Sequence, residues 1–428
     1  MAIYTEMKDS GIDWIGEVPS HWAMHTLYQL VTQVKNKNKD LTEKNLLSLS
    51  YGKIKRKSIE TTEGLLPESF DGYNIIEDGD VVLRLTDLQN DHTSLRVGLA
   101  TERGIITSAY TTLRPSDNCI SKYMYYLLHT FDIRKGFYGM GSGVRQGLNY
   151  DEVKELRVIL PSLDEQQAIA AYLDEQCALI DEAIAAAKNS IEEYKAWKVS
   201  IIFNAVTKGL DKKVEFKESG IDWLGCIPSL WGCGKIKHFA SLSSGGTPKS
   251  DHREYYDGDI NWACSLDLSE NELFETQNHL SEIGLKNCAS AIQPVGTIVM
   301  AMYGGSGTIG NSAILCVSSA TNQALCCMKF DERILDKYAF YYIRAIRKYW
   351  MIYAVGTRKD PNISQAIVGA MPMLLPSMQE QIIIVDYLDY KLPLIESIIS
   401  QKEAAIADLE SYKRSLIYEA VTGKRKVE

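Results

Sequence analysis

The 428-residue chain has no run of 18 or more consecutive apolar residues, so no membrane-spanning helix is expected. Its first residues, MAIYTEMKDSGIDW, lack the basic end and apolar stretch of a secretory signal, and a cytoplasmic protein is expected. The nine cysteines are odd in number and include no C-x-x-C pair. Neither a disulfide framework nor a structural zinc site is therefore expected, and a reducing compartment is. The adjacent Cys326 and Cys327 read as small strand residues rather than a redox pair. The seven histidines are scattered and suggest no metal site, and no nucleophile–histidine–carboxylate set can be assigned. No G-x-x-x-x-G-K-[ST] phosphate loop occurs. Basic charge is also short: the net charge of −9 at first weighs against a nucleic-acid partner. What remains, 45% hydrophobic and 24% charged residues, suits a globular chain of two or three domains that can bury its core without cross-links.

The dominant feature is an internal repeat. KDSGIDWIGEVPSHW at 8–22 recurs as KESGIDWLGCIPSLW at 217–231, and LPSLDEQQAIAAYLD at 160–174 recurs as LPSMQEQIIIVDYLD at 375–389. Ala205-Val206-Thr207 recurs as Ala420-Val421-Thr422. Between these motifs, about 23–155 and 232–370, the copies share only a weak skeleton: a glycine before a short apolar strand (Gly79 to Leu83, Gly296 to Met300) and an aromatic helix. A constant frame with divergent inserts implies one scaffold presenting two different surfaces. Charge follows the same division. Residues 20–160 hold 18 basic and 17 acidic side chains and residues 232–375 hold 13 of each, so the acidity lies in the frame and the inserts are near neutral.

The frame reads as paired helices. Residues 164–207 contain neither proline nor glycine. Cys177, Ile184, Ile191 and Lys198 are seven apart, as are Leu173, Ile180, Ala187, Tyr194 and Ile201. The second copy repeats the pattern with Leu392, Ile399, Ile406 and Lys413, and with Leu388, Ile395, Lys402, Leu409 and Leu416. This 3-4 spacing predicts a coiled coil, of helices roughly 50–65 Å long. Two similar units related like a dimer would set the helices antiparallel about a pseudo-two-fold axis. The end, AVTGKRKVE, and the start read together like AVTKGLDKKVEFKESGIDWLG in the middle, which predicts a circular organisation with neighbouring termini.

The combination resembles the specificity (S) subunits of Type I restriction-modification systems. It rests on SGIDWIGEVPSHW before an insert, LPSLDEQQAIAAYLD after it, a long helix ending SIIFNAVTKG, and all of this twice. SSGGTPKSDHREYYDGDINW is also similar to a common start of the family's target recognition domains. The resemblance covers essentially the whole chain. It implies an α/β (α+β) fold: two target recognition domains, at 23–160 and 232–375, separated by the two-helix coiled coil. The frame would comprise 1–22, a first helical region and linker at 161–231, and a second helical region at 376–428. The implied function is DNA-sequence specificity, each domain binding one half of a bipartite, asymmetric site in double-stranded DNA, mainly in the major groove. For paired readers the half-sites are expected roughly 34 Å apart. The chain itself would be non-enzymatic and hold no cofactor. Two methyltransferase subunits using S-adenosylmethionine and endonuclease/translocase subunits using ATP and Mg2+ would carry catalysis. Consistent with this, the chain has neither of the NPPY and DPPY motifs with which related methyltransferases hold a flipped adenine.

The candidate DNA-binding residues follow from side-chain chemistry. Lys53, Lys55, Arg56 and Lys57 follow Tyr51-Gly52, which suggests a turn presenting a basic run to phosphate. Lys35, Lys37 and Lys39 form a second run that suits a solvated loop equally well. Ser142, Arg145 and Gln146 lie in the glycine-rich segment closing the first insert, and Arg358 and Lys359 in the segment closing the second. Arg and Gln read guanine and adenine edges, and glycine allows close approach to phosphate, although a plain hinge would look the same. Ser108 and Tyr110, and Asn322 and Gln323, occupy matching places in the weak skeleton. Gly245, Gly246, Thr247 and Lys249 open the second insert, and Tyr303 completes the set. Tyr123, Tyr126, Phe131, Tyr338, Tyr341 and Tyr342 have helical spacing and are assigned to core rather than base stacking.

Residues 305–310 satisfy G-x-G-x-x-G, but a strand-like stretch follows instead of a helix, so a glycine turn between strands is expected rather than a dinucleotide site. Two other readings are weaker. One is a scaffold protein whose inserts bind protein. The other is a nuclease built on Glu215-Phe216-Lys217, which lies in the linker without an upstream partner motif.

Overall fold

A computed structural model describes residues 4–59, 69–91, 93, 95–140, 147–304, 307–356 and 361–427. The chain forms two compact units, 1–188 with 403–428, and 189–402. The fold is mixed helix and strand, with long helices at Leu163–Lys208 and Met378–Val421, the latter running through Pro393 at the expense of one backbone hydrogen bond. Each helix places its first part in one unit and its remainder in the other.

In the first unit, Ala23–Thr26 pairs antiparallel with Arg157–Leu160, closing the insert at its base. Within it, a four-stranded sheet runs in the order Val31–Gln33, Thr111–Pro115, Val81–Leu83, Val97–Leu99. The inner strand Val81–Leu83 is a short apolar run buried at every position, whereas Val31–Gln33 at the edge keeps an exposed polar residue. The helix Ser121–Ile133 buries Tyr123, Tyr126 and Phe131, as expected of core aromatics. Leu47–Ser50 and Lys53–Arg56 form a separate hairpin. Its two turn residues, Tyr51 (φ 48°) and Gly52 (φ 74°), are both left-handed, the geometry that matches strand twist.

The second unit repeats this plan. Gly232–Lys235 pairs with Pro372–Leu375. A sheet runs in the order Ala240–Ser244, Leu325–Phe330, Ile298–Ala301, Ser312–Leu315, with Asn271–Leu273 added in parallel at the far edge. Tyr338, Tyr341 and Tyr342 are buried on the helix Asp336–Ala345. The 305–310 segment links two strands, with Gly310 at φ 78°; residues 305 and 306 lie outside the described residues.

The repeated motifs make the same bonds in each unit. Ser162 and Glu165 form a reciprocal cap at the start of one long helix, and Ser377 and Glu380 do so at the other. The indole N–H of Trp22 donates to Glu165 (3.2 Å) and that of Trp231 to Glu380 (3.1 Å). The amide oxygen of Gln166 accepts from Ile120 N, and its amine donates to Asn118 and Pro161 carbonyls. Gln381 does the same with Leu335 N and the Arg333 and Pro376 carbonyls. These ties hold each aromatic helix to the start of the long helix that follows it.

The heptad residues Leu173, Cys177, Ile180 and Ile184 are buried in one core with Leu416, Ile417, Ala420 and Val421 of the first unit. Lys413 donates to Asp181 at 2.7 Å and Arg425 to Tyr172 at 3.4 Å, so these helix segments run antiparallel. In the second unit Ile201, Ala205 and Val206 share a core with Leu388, Leu392 and Ile395, and Lys198 pairs with Glu396 at 2.6 Å.

His129 sits in the first core, 8% exposed, stacked on Tyr125, with no partner for its Nδ1 among the described residues. Burial, and then the charge of Lys413, push its pKa down to about 4. The unfolded imidazole binds a proton below about pH 6.5 and the folded one does not, so stability is full above that pH and falls as pH drops towards 4. The loss reaches about 3 kcal/mol at most. Denaturant titrations at pH 7 and 4.5 are expected to show His129→Leu losing about 2 kcal/mol less than wild type on acidification. Equal losses would assign the acid sensitivity elsewhere.

Candidate nucleic-acid interface

In the second unit the register places Ser244 opposite Cys326, and Ala301 opposite Leu325. The chain therefore leaves strand 240–244, leaves strand 298–301 and enters strand 325–330 at one end of the sheet. Gly245, Gly246 and Thr247, then Tyr303, then Asn322 and Gln323 meet there. Gly246 N donates to Thr321 O (3.0 Å), and the Thr247 hydroxyl donates to the Gln323 amide oxygen. Asn322 caps its own turn by accepting from Ala324 N (3.1 Å). Thr247, Lys249, Tyr303 and Gln323 are exposed, whereas Gly245 and Gly246 are buried. A side chain at Gly245 would put its Cβ 1.7 Å from Thr321 O, and one at Gly246 would put it 2.7 Å from Ala289 N. Internal packing thus accounts for both glycines. Partial burial raises the pKa of the Tyr303 phenol, which keeps it a neutral donor and acceptor.

Arg358 and Lys359 lie outside the described residues. The backbone flanking them is placed: Val355–Gly356 pairs with Pro361–Asn362, Asn362 bridges to Tyr303, and Ile363 N donates to Met302 O (2.8 Å). The flanking backbone at Asn362 therefore stands beside Tyr303.

The first unit gathers the corresponding segments. Val34, leaving strand 31–33, donates to Thr112 O (2.9 Å), and Thr111 stands opposite Leu83. Residues after Gln33, after Leu83 and before Thr111 thus share one sheet end. Ser108 is exposed there, while Tyr110 packs half-buried on the cluster of Leu47, Leu49 and Ile106. Leu148 N donates to Leu85 O (2.8 Å), the counterpart of the Ile363 bond. Ser142, Arg145 and Gln146 lie outside the described residues, in the segment that ends at this bond. Lys37 is anchored on Gly72 O (2.8 Å), while Lys35 and Lys39 are exposed.

The basic run is divided by strand alternation. Lys53, Lys55 and Lys57 are exposed and share one face of the hairpin. Arg56 lies on the opposite face with Ile54, and its Nε donates to both carboxylate oxygens of Glu102 at 2.7 and 2.8 Å. That ion pair occupies its guanidinium, which sets Arg56 apart from the three exposed lysines. Sequence reasoning did not single out the segment Arg84 to Asp91, which also leaves this sheet end. The signal was present, since it occupies the place in the first copy that the glycine-rich 303–310 occupies in the second. Among the described residues, no cluster of three or more His, Cys, Asp or Glu side chains could hold a metal ion, and no helix is long and apolar enough to cross a membrane.

Comparison with known proteins is consistent across sequence and structure. The model of the Type I restriction modification DNA specificity domain matches residues 19–193 and 228–407. The Type I restriction enzyme MjaIX specificity subunit of Methanocaldococcus jannaschii is 28% identical over 195 residues, which is 45% of this chain and 44% of that protein. A protein of the same organism named as the specificity subunit of type I restriction enzyme MjaX is 23% identical over 96% of both chains. A chain from a structural study of complex assembly and conformational transition of the type I R-M system superposes with a TM-score of 0.72, at 13% identity, over 94% of this chain and 98% of that one. The crystal structure of the HsdS subunit from Thermoanaerobacter tengcongensis gives 0.54, at 13% identity, over 95% and 98%.

Proposed function

The chain belongs to the Type I restriction modification DNA specificity domain family, and we propose that it serves as the DNA-specificity subunit of a Type I restriction-modification complex, each unit reading one half of a bipartite, non-identical site. The observation that carries this reading is the repeated sheet end. In both units the segment after the first strand, the segment before the last, and the connector back to the frame meet at one place, with different side chains in each. One scaffold with two different reading edges suits two different half-sites.

In this reading the long helices form an antiparallel coiled coil, and the repeated motifs follow one another in a circular order. Its support is the matching bonds of Lys208 and Lys424. Lys208 donates to the Leu224 and Cys226 carbonyls of the motif that follows it in sequence, and Lys424 to the Ile15 and Glu17 carbonyls of the motif at the other end of the chain. Catalysis belongs to partners: two methyltransferase subunits with S-adenosylmethionine, and endonuclease/translocase subunits with ATP and Mg2+. This chain contributes recognition and assembly in the cytoplasm.

The test is binding of the assembled complex to a panel of single-base variants at several salt concentrations. Replacing Lys53 and Lys55 by alanine is expected to weaken binding to every sequence about equally. The slope of log affinity against log salt should become shallower by roughly one for each phosphate no longer neutralised. An unchanged slope would remove the hairpin from the interface, and binding indifferent to both salt and sequence would favour a scaffold role.

A further inference from the structure

One loop in the first unit is built in a way that its neighbours are not. The segment Arg84 to Asp91 leaves strand 81–83 at the proposed reading edge, and its Leu85 carbonyl accepts the bond from Leu148. It is held from inside by Arg96, whose side chain is completely buried. Nη1 of Arg96 donates to Arg84 O (3.2 Å) and Thr86 O (2.7 Å), and Nη2 donates to Asp87 O (3.2 Å) and to Asp91 O. Its Nε donates to the Tyr138 hydroxyl (2.9 Å), which in turn donates to Asp91 O (3.1 Å). Leu85 and Leu88 anchor the same segment in the core.

A buried guanidinium satisfied almost entirely by loop carbonyls is a costly way to cover a sheet end. What it achieves is a fixed backbone, and therefore fixed outward side chains. Between Arg84 and Asp91 those are Thr86, Asp87, Gln89 and Asn90, all exposed and all but Asp87 uncharged hydrogen-bonding groups. Asn90 is committed to Asp87, donating to its carboxylate at 2.8 Å. Gln89 has no hydrogen-bond partner among the described residues. An amide on a preorganised backbone matches the paired donor and acceptor on the major-groove edge of adenine.

We infer that Gln89 reads a base, with adenine as the matching edge, and that Arg96 is the positioning residue that presents it. The inference rests on the proposed DNA-reading function. It adds a loop and a residue to the candidate interface, and it gives the buried arginine a role in specificity.

The experiment is to express the full chain with its methyltransferase subunits in a methylation-free host and to sequence the modified sites. Gln89 is exposed, so Gln89→Ala is expected to fold normally and to lower discrimination at one position of one half-site by about tenfold. The other half-site and the spacer should be unchanged. A bipartite site read with unaltered stringency by Gln89→Ala overturns the inference and leaves the DNA-reading function standing. If the wild-type chain confers no sequence-specific methylation, both fall. Arg96→Met is expected to relax the same position as Gln89→Ala. Uniform weakening with preference intact would make Arg96 a merely structural residue and overturn its positioning role. Should Arg96→Met not fold, Tyr138→Phe removes the hydroxyl that braces both Arg96 and Asp91. It should produce a smaller relaxation at the same base, and none there would likewise overturn the role.

Discussion

Trp22→Ala is expected to destabilise the first unit by about 3–5 kcal/mol, and Trp231→Ala the second by a similar amount. Each indole is 1% exposed. Trp22 packs where the helix end at Gly423 meets the motif at 8–22, and a Cβ at Gly423 would stand 3.2 Å from the ring. Gly209 approaches Trp231 in the same way, also at 3.2 Å. Alanine would leave a cavity at a junction of hairpin, helix start and helix end, where backbone on several sides resists collapse. The hydrogen bond matters less. Glu165 also accepts from His21 (2.9 Å), Ser162 (2.9 Å) and Tyr4 (3.2 Å), so it keeps partners when the indole is removed. Trp22→Phe is accordingly expected to cost only about 1–2 kcal/mol. Chemical denaturation of the three proteins checks this, and a phenylalanine variant as unstable as the alanine one would show that polar contacts dominate.

Gly245→Ala is expected to cost about 3 kcal/mol or more and to abolish recognition of one half-site only. The clash is with the Thr321 carbonyl, which cannot retreat freely because it accepts from Gly246 N (3.0 Å) and the Ser290 hydroxyl (2.9 Å). Moving it would displace Asn322 and Gln323, which stand at the same sheet end. Gly307→Ala is the control: nothing lies within 4 Å of its added Cβ, and the change should stay within about 0.5 kcal/mol. Denaturation together with methylated-site sequencing measures both effects. Loss of both half-sites in Gly245→Ala would mean that the damage reaches beyond the second unit.

Much of the scaffold was legible beforehand because its signals are local. The heptad positions around Leu173 and Leu388 and the turn at Tyr51-Gly52 each depend on residues a few positions apart. The candidate interface was only partly legible. Ser108, Asn322 and Gln323 could be placed in matching positions of the two copies, but nothing local brings Thr247 to Gln323 or Leu148 to Leu85. Arg56 shows the limit well. Its partner Glu102 lies 46 residues away, and a count of basic residues treats it as equal to Lys55. The end of the frame departs from strict repetition by one position. Thr207-Lys208-Gly209 and Thr422-Gly423-Lys424 do not align, yet both lysines reach the same kind of carbonyls and both glycines pack on a tryptophan. A long flexible side chain can reach one target from either of two adjacent positions.

By itself, the sequence determined the duplication, the two long helices, the division into constant frame and variable insert, and the family. These rest on periodicity and on motifs whose partners lie within a turn or two, so they are written along the chain. Only the tertiary structure decided which segments share a sheet end, that Arg56 of the basic run is held by Glu102, and that a buried Arg96 holds the loop carrying Gln89. Those outcomes depend on strand order and register, which join residues tens of positions apart, and no local pattern encodes them.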